Sequence, residues 1–214
     1  MKPYRSLAAL TTATTVFMLG FAMAQLAIVG ANATGAFDEG ADMGIGTAFL
    51  SLGLIGLFGF GFLFSVIFFC IWLNRAAHNV RALGHSGFET SPGFAVGSFF
   101  IPFLNLWKPY QATQEIWQAS HATSTETSSW LSSPRSELIK GWWAAWVLSG
   151  IVGRVSWKVE STTVDLLAAG LTWLAGILCV TMMRQMMRAQ DAQAQRRTNA
   201  PSVSDAVAHT PYLR

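Results

Sequence analysis

WLNRAAHNVRALG at residues 72–84 and FETSPGFAVGSFFIPFLNLWKPYQATQEIWQAS at residues 88–120 form the block whose reading decides the fold. It opens where a long apolar run ends on Asn, Arg and His. It re-enters apolar sequence for about fourteen residues from Phe94, too few to cross a bilayer as a helix, which takes ~20. It leaves that run through Pro102, Asn105, Lys108 and Pro109. A proline-broken apolar segment, rimmed by polar groups and flanked by basic ones, is expected to lie at one membrane face. We read residues 92–119 as a re-entrant or interfacial element.

The rest of the chain fits that reading. Of its residues 52% are hydrophobic and 12% charged, about half the charge of a soluble domain, with a mean hydropathy of +0.39. The expected class is an all-α integral membrane protein with four spans, at residues 7–31, 47–73, 138–155 and 164–183. The first also imitates a secretory signal, because Ala22-Met23-Ala24 resembles a cleavage site. Its apolar run continues past that point, so an uncleaved helix is expected. Residues 1–197 are expected to form one helical membrane domain, with residues 184–197 an amphipathic, basic extension of the last helix. The Ala, Pro, Ser and Thr of 198–214 suggest a disordered tail.

Charge sets the orientation. Lys2, Arg5, Arg75, Arg81, Lys108, Arg135, Lys140 and the arginines from 184 onward fall on one side of a four-span chain. Arg154, Lys158, Glu160 and the acids Asp38, Glu39 and Asp42 fall on the other. Cytoplasmic loops collect Lys and Arg, so both termini are expected in the cytoplasm. A fifth span at residues 94–107 would force the C-terminal arginines across the membrane.

Within the spans, glycines at 53, 56 and 59 and small residues at 145, 149, 153 and at 168, 172, 176 offer close helix contacts. Trp142, Trp143 and Trp146 read as an interfacial belt. Cys70 and Cys179 lie in apolar runs, and no disulfide is expected between them.

Candidate chemistry concentrates in the central block. Asn74, His78, Arg81 and His85 are spaced to share a helix face, flanked by Arg75 and Asn79. They read either as a basic collar ending a span or as a site for a lipid phosphate or a carboxylate. Ser91 and Pro92 suit a helix start, with an apolar helix expected from Phe94 to Phe103. Pro109 starts another, carrying Gln111, Glu115 and Gln118 on one face and Ala112, Ile116 and Ala119 on the other. Tyr110 and Trp117 suit the water–lipid boundary. Glu115 is expected to pair with Arg75 or Arg81. The ligand or headgroup candidates are thus Arg75, His78, Asn79, Arg81, Asn105, Lys108, Tyr110 and Glu115. No catalytic residue, cofactor or metal site is indicated: His78, His85 and His121 lack ligand spacing, and no nucleophile or phosphate-loop motif occurs.

Trp72, the run at 75–84, SPGFAVG at 91–97, FIPFLNLWKPYQ at 100–111 and EIW at 115–117 are similar to a bacterial membrane-protein family, domain of unknown function 4328. Trp142, Trp143, Trp146, Gly153 and Arg154 resemble its later portion. Phe94 and Ser98-Phe99 stand where Trp-rich variants are expected. The resemblance implies a multi-span domain of the bacterial inner membrane and no established activity. Two readings therefore stay open. One is a non-enzymatic accessory or scaffold subunit, whose partners are the bilayer and further copies or other membrane subunits, with no nucleic acid. The other is a small transporter or lipid-binding protein with a site beneath the re-entrant segment.

Overall fold

The computed structural model describes residues 3–35, 44–123, 129–159 and 161–199. Asp38, Glu39, Asp42 and Glu160, and nearly all of the tail expected at 198–214, lie outside them. Every regular element among the described residues is helical: α1 Ala8–Ala33, α2 Ile45–Ala82, α3 Pro92–Gly97, α4 Lys108–Ser120, α5 Glu137–Val159 and α6 Thr162–Asn199. Short 3₁₀ turns lie at Leu104–Leu106 and Ser129–Ser132.

The helix lengths explain where the core sits. A crossing uses roughly 20 residues, whereas α2 and α6 have 38 each. The surplus of both projects on the same side. In α2 the buried positions run only from Gly61 to Val80, and in α6 from Ala175 to Gln190. Outside these stretches, large apolar side chains such as Phe49, Leu52, Phe60, Leu166 and Leu174 are exposed, as expected of helices solvated by lipid rather than by each other. Three helices, α1, α2 and α6, are long and apolar enough to cross a membrane. At 23 residues α5 has the length but falls short of them in apolarity.

Packing follows two antiparallel pairs, α1 with α2 and α5 with α6, joined where α1 meets α6. Rings zip the first pair: Phe17 lies 5.1 Å from Phe64 and Phe21 4.8 Å from Phe58, centroid to centroid. Gly61 sits against the α1 backbone, where an added Cβ would come within 2.9 Å of the Phe21 amide nitrogen. Hydroxyls inside these helices bond back to carbonyls one turn earlier, as at Thr14, Ser65 and Thr172.

The central block folds as an additional layer over the α2–α6 end. Ser91 Oγ accepts the Phe94 amide at 3.2 Å, with Pro92 at the first helical position. The helix expected to reach Phe103 stops at Gly97, and six residues rise only ~9 Å. The chain then turns at Phe103, whose φ of 66° is closed by a 2.8 Å bond from Leu104 N–H to Pro102 C=O. This γ-turn is strained for a residue bearing a Cβ. It turns the Phe103 ring outward, 76% exposed.

The tryptophans at the start of α5 correct the sequence reading. Trp142 and Trp143 are buried rather than interfacial. They pack against Phe69 of α2 and Phe99 of the central block at 5.8 and 5.9 Å. Trp146 is the more exposed of the three. A belt and a core use the same residue type, and the folded-back block supplies the partners that make this one a core.

Candidate functional site

The candidate residues divide into three groups. The first centres on Thr90. Arg81 Nη2 donates to the Thr90 carbonyl at 2.7 Å, and the Thr90 amide and hydroxyl donate to the two oxygens of Glu115 at 3.3 and 3.4 Å. Arg81 also donates to Ala77 O and lies 4.3 Å over the Phe88 ring. The expected pairing of Glu115 with arginine thus runs through a threonine. Among the described residues the ion pair within contact distance is Lys140–Glu137, exposed at the start of α5. Burial pushes the Glu115 carboxyl above its ordinary range, and Glu89 adds to this. The Thr90 donors and Lys108 work against it.

The second group is a buried amide network. Asn79, 1% exposed, pairs with both backbone groups of Arg5: its Oδ1 accepts the amide at 3.1 Å and its Nδ2 donates to the carbonyl at 2.8 Å. Nδ2 also reaches Gln190 Oε1 at 3.1 Å. Gln190, fully buried, donates to Ser120 Oγ and Ala76 O. One turn on, Gln193 Nε2 donates to the carbonyls of Ala119, Ser120 and Ala122. Ala119 and Ser120 end α4, where carbonyls have no donor left within the helix, and Ala122 lies just past it. Gln114 repeats the Asn79 pattern, meeting the amide and carbonyl of Ser136 ahead of α5 at 2.9 and 2.8 Å.

His85 does not share the α2 face expected for it. The helix ends at Ala82, Gly84 turns the chain at φ +85°, and His85 is carried under α6. Its Nε2 faces Gln193 Oε1 at 3.2 Å. The Gln193 amide nitrogen is occupied with carbonyls, so Nε2 carries the proton and Nδ1 has no partner. Burial lowers the His85 pKa, the Gln193 bond opposes this and Arg197 reinforces it.

The remaining candidates are spread out. Arg75 donates to the Ser6 carbonyl at 3.3 Å, toward the N-terminal segment and away from Glu115. His78 is partly exposed on α2. Asn105 lies in the 3₁₀ turn, half-buried. Lys108 reaches Gln111 at 3.4 Å, and Tyr110 packs on the core. Trp117 stacks on His121 at 4.0 Å.

Sequence reasoning missed Thr90, Gln114, Gln190 and Gln193, and also Trp130, which donates to Ser86 O and stacks on Phe88. It missed Tyr4 as well, which donates to Asp191 and whose phenol is raised by burial and by that carboxylate. One signal was present: Gln190 follows Met182, Met183 and Met186 at helical spacing on an apolar face. Among the described residues no three His, Cys, Asp or Glu side chains gather as a metal site would need.

A family model described as Domain of unknown function (DUF4328) matches residues 39–208 of the 214, and the chain belongs to that family. No curated protein and no solved structure matches it.

Proposed function

We propose that this DUF4328 protein is a non-catalytic subunit of a bacterial inner-membrane assembly. It crosses four times with both termini cytoplasmic, α5 being the fourth span beside its partner α6. The central block is a cytoplasmic-face cap that dips into the interface without crossing. Phe100, Phe103, Leu106 and Trp107, all exposed, anchor it in lipid.

The observation that carries the scaffold reading is the use to which the polar core is put. Asn79, Gln114, Gln190 and Gln193 hold helix ends and the N-terminal segment. Their hydrogen-bonding capacity builds a rigid cap. The inner side of the re-entrant segment, where a transported ligand would sit, is filled by Ala95, Ser98 and Phe99. An outward feature supports assembly: positions 53, 56 and 59 of α2 face open space, where a Cβ would meet nothing within 4 Å. A glycine row left uncovered by its own chain suits the close approach of a second helix.

The test is the mass of the purified protein in mild detergent, with cross-linking through a single Gly56→Cys. The reading expects a discrete multiple of 23.2 kDa and a Gly56→Cys dimer in native membranes. A monomer at every concentration, with no cross-link to itself or to another membrane protein, would overturn it.

A further inference from the structure

We propose that the groove between α1 and α6 binds one anionic phospholipid of the cytoplasmic leaflet through its phosphate. The groove has a volume of about 240 Å³ and is lined by Thr12, Thr15 and Val16 of α1 and by Arg184, Met187 and Arg188 of α6. Arg184 and Arg188 are one helical turn apart and exposed. Among the described residues neither has a hydrogen-bond or ion-pair partner. Asp191, the nearest acid along α6, is engaged by Tyr4. Thr15 lines the groove and donates to Thr11 O, whereas Thr12 is exposed with no partner among the described residues.

The two walls match a lipid in depth as well as in charge. On α1, Thr12, Val16, Leu19 and Met23 follow one face, and the last three are 58%, 60% and 58% exposed. On α6, Arg188, Arg184, Thr181 and Ile177 follow one face in the opposite chain direction, with Ile177 61% exposed. Both faces pass from polar to aliphatic in the same direction. From Thr12 to Met23 the rise is ~16 Å, about one leaflet of a ~30 Å hydrocarbon core. Guanidinium pairs suit phosphate oxygens in a way that one ammonium does not. A soluble anion would use the arginines and leave the aliphatic walls without a role.

The full-length protein would be stripped in detergent, then titrated with phosphatidylglycerol or phosphatidylcholine and read by native mass spectrometry. One phosphatidylglycerol should be retained in preference to phosphatidylcholine. Arg184→Gln with Arg188→Gln should weaken retention roughly 30-fold, from two headgroup cations. Val16→Phe, which fills the groove and leaves the charges, should abolish it. Arg196→Gln with Arg197→Gln, the same charge change farther along α6, should leave it intact. All variants should match wild type in melting temperature when lipid-free. Equal loss in both arginine doubles would reveal a general basic collar and overturn the site. So would retention unaffected by Val16→Phe, or displacement of the lipid by inorganic phosphate. The readout follows single polypeptides, so failure here leaves the assembly reading standing, and the reverse.

Discussion

Removing the Glu115 carboxylate tests whether Thr90 bridges it to Arg81. Glu115→Ala and Arg81→Ala should couple by about 0.5–1 kcal/mol, a small value because both groups are partly exposed to solvent. Glu115→Ala and Arg75→Ala should be additive, since Arg75 bonds to Ser6. Thermal unfolding of the singles and doubles in detergent checks both. The acid–base behaviour is a second residue-scale test. A carboxyl raised in the folded state binds its proton more tightly there than when unfolded. Stability from Glu115 therefore grows as pH falls through its folded pKa toward the ordinary carboxylate value. His85 acts in the opposite sense: its folded pKa is lowered, so stability is lost as pH falls through the ordinary histidine value. The readable quantity is the difference between wild type and Glu115→Gln, whose melting temperatures should shift in favour of wild type on acidification. A constant difference would mean that Glu115 is not held in a desolvated place. That Glu115 faces the end of α2 was legible from its isolation as the only acid between Glu89 and Glu126. That Thr90 mediates was not, because a backbone carbonyl leaves no trace in sequence.

At the scale of elements, α6 holds the cap through Gln190. Gln190→Leu would leave Asn79 Nδ2 with Arg5 O alone and the Ser120 hydroxyl with Ile116 O alone, each losing its buried bond to Gln190, at a cost of about 1–3 kcal/mol. Gln190→Glu should cost more, because a buried carboxylate accepts and cannot donate to Ala76 O. Melting temperatures rank the three proteins. A drop no larger than that of an exposed control such as Gln185→Leu would refute the network. The glycines of α2 give the complementary test. Gly61→Ala meets the Phe21 backbone and should destabilise the α1–α2 pair by about 1–3 kcal/mol. Gly56→Ala should leave the fold intact and weaken self-association only. The periodic elements were readable, since apolar runs and the Ser91-Pro92 start mark them directly. Two boundaries were not. The α3 helix stops at Gly97 because the chain must turn back over α2, and α2 stops at Ala82 because Gly84 takes a positive φ. Trp142 and Trp143 were misplaced for a related reason: burial depends on Phe99, which only the folded block brings near.

For the molecule as a whole, the hydropathy pattern puts nearly every Lys and Arg near one face, with Arg154 and Lys158 the exceptions, and the packed core of the structure lies at the end that carries the rest. Reporter fusions after Lys158 should read as extracytoplasmic and those after Arg197 as cytoplasmic. The decisive question is whether the apolar stretch 94–107 stays on one side. The most direct measurement is labelling by a membrane-impermeant thiol reagent in a Cys70→Ala, Cys179→Ala background. Gly93→Cys and Gln111→Cys flank the stretch at exposed positions, and Gly93 has room for a side chain. In sealed vesicles of known orientation both should label from the cytoplasmic face only, together with Arg197→Cys, while Lys158→Cys labels from the other. Gly93→Cys and Gln111→Cys labelling from opposite faces would make the block a true span, reverse everything after it, and contradict the cap on which the proposed function rests.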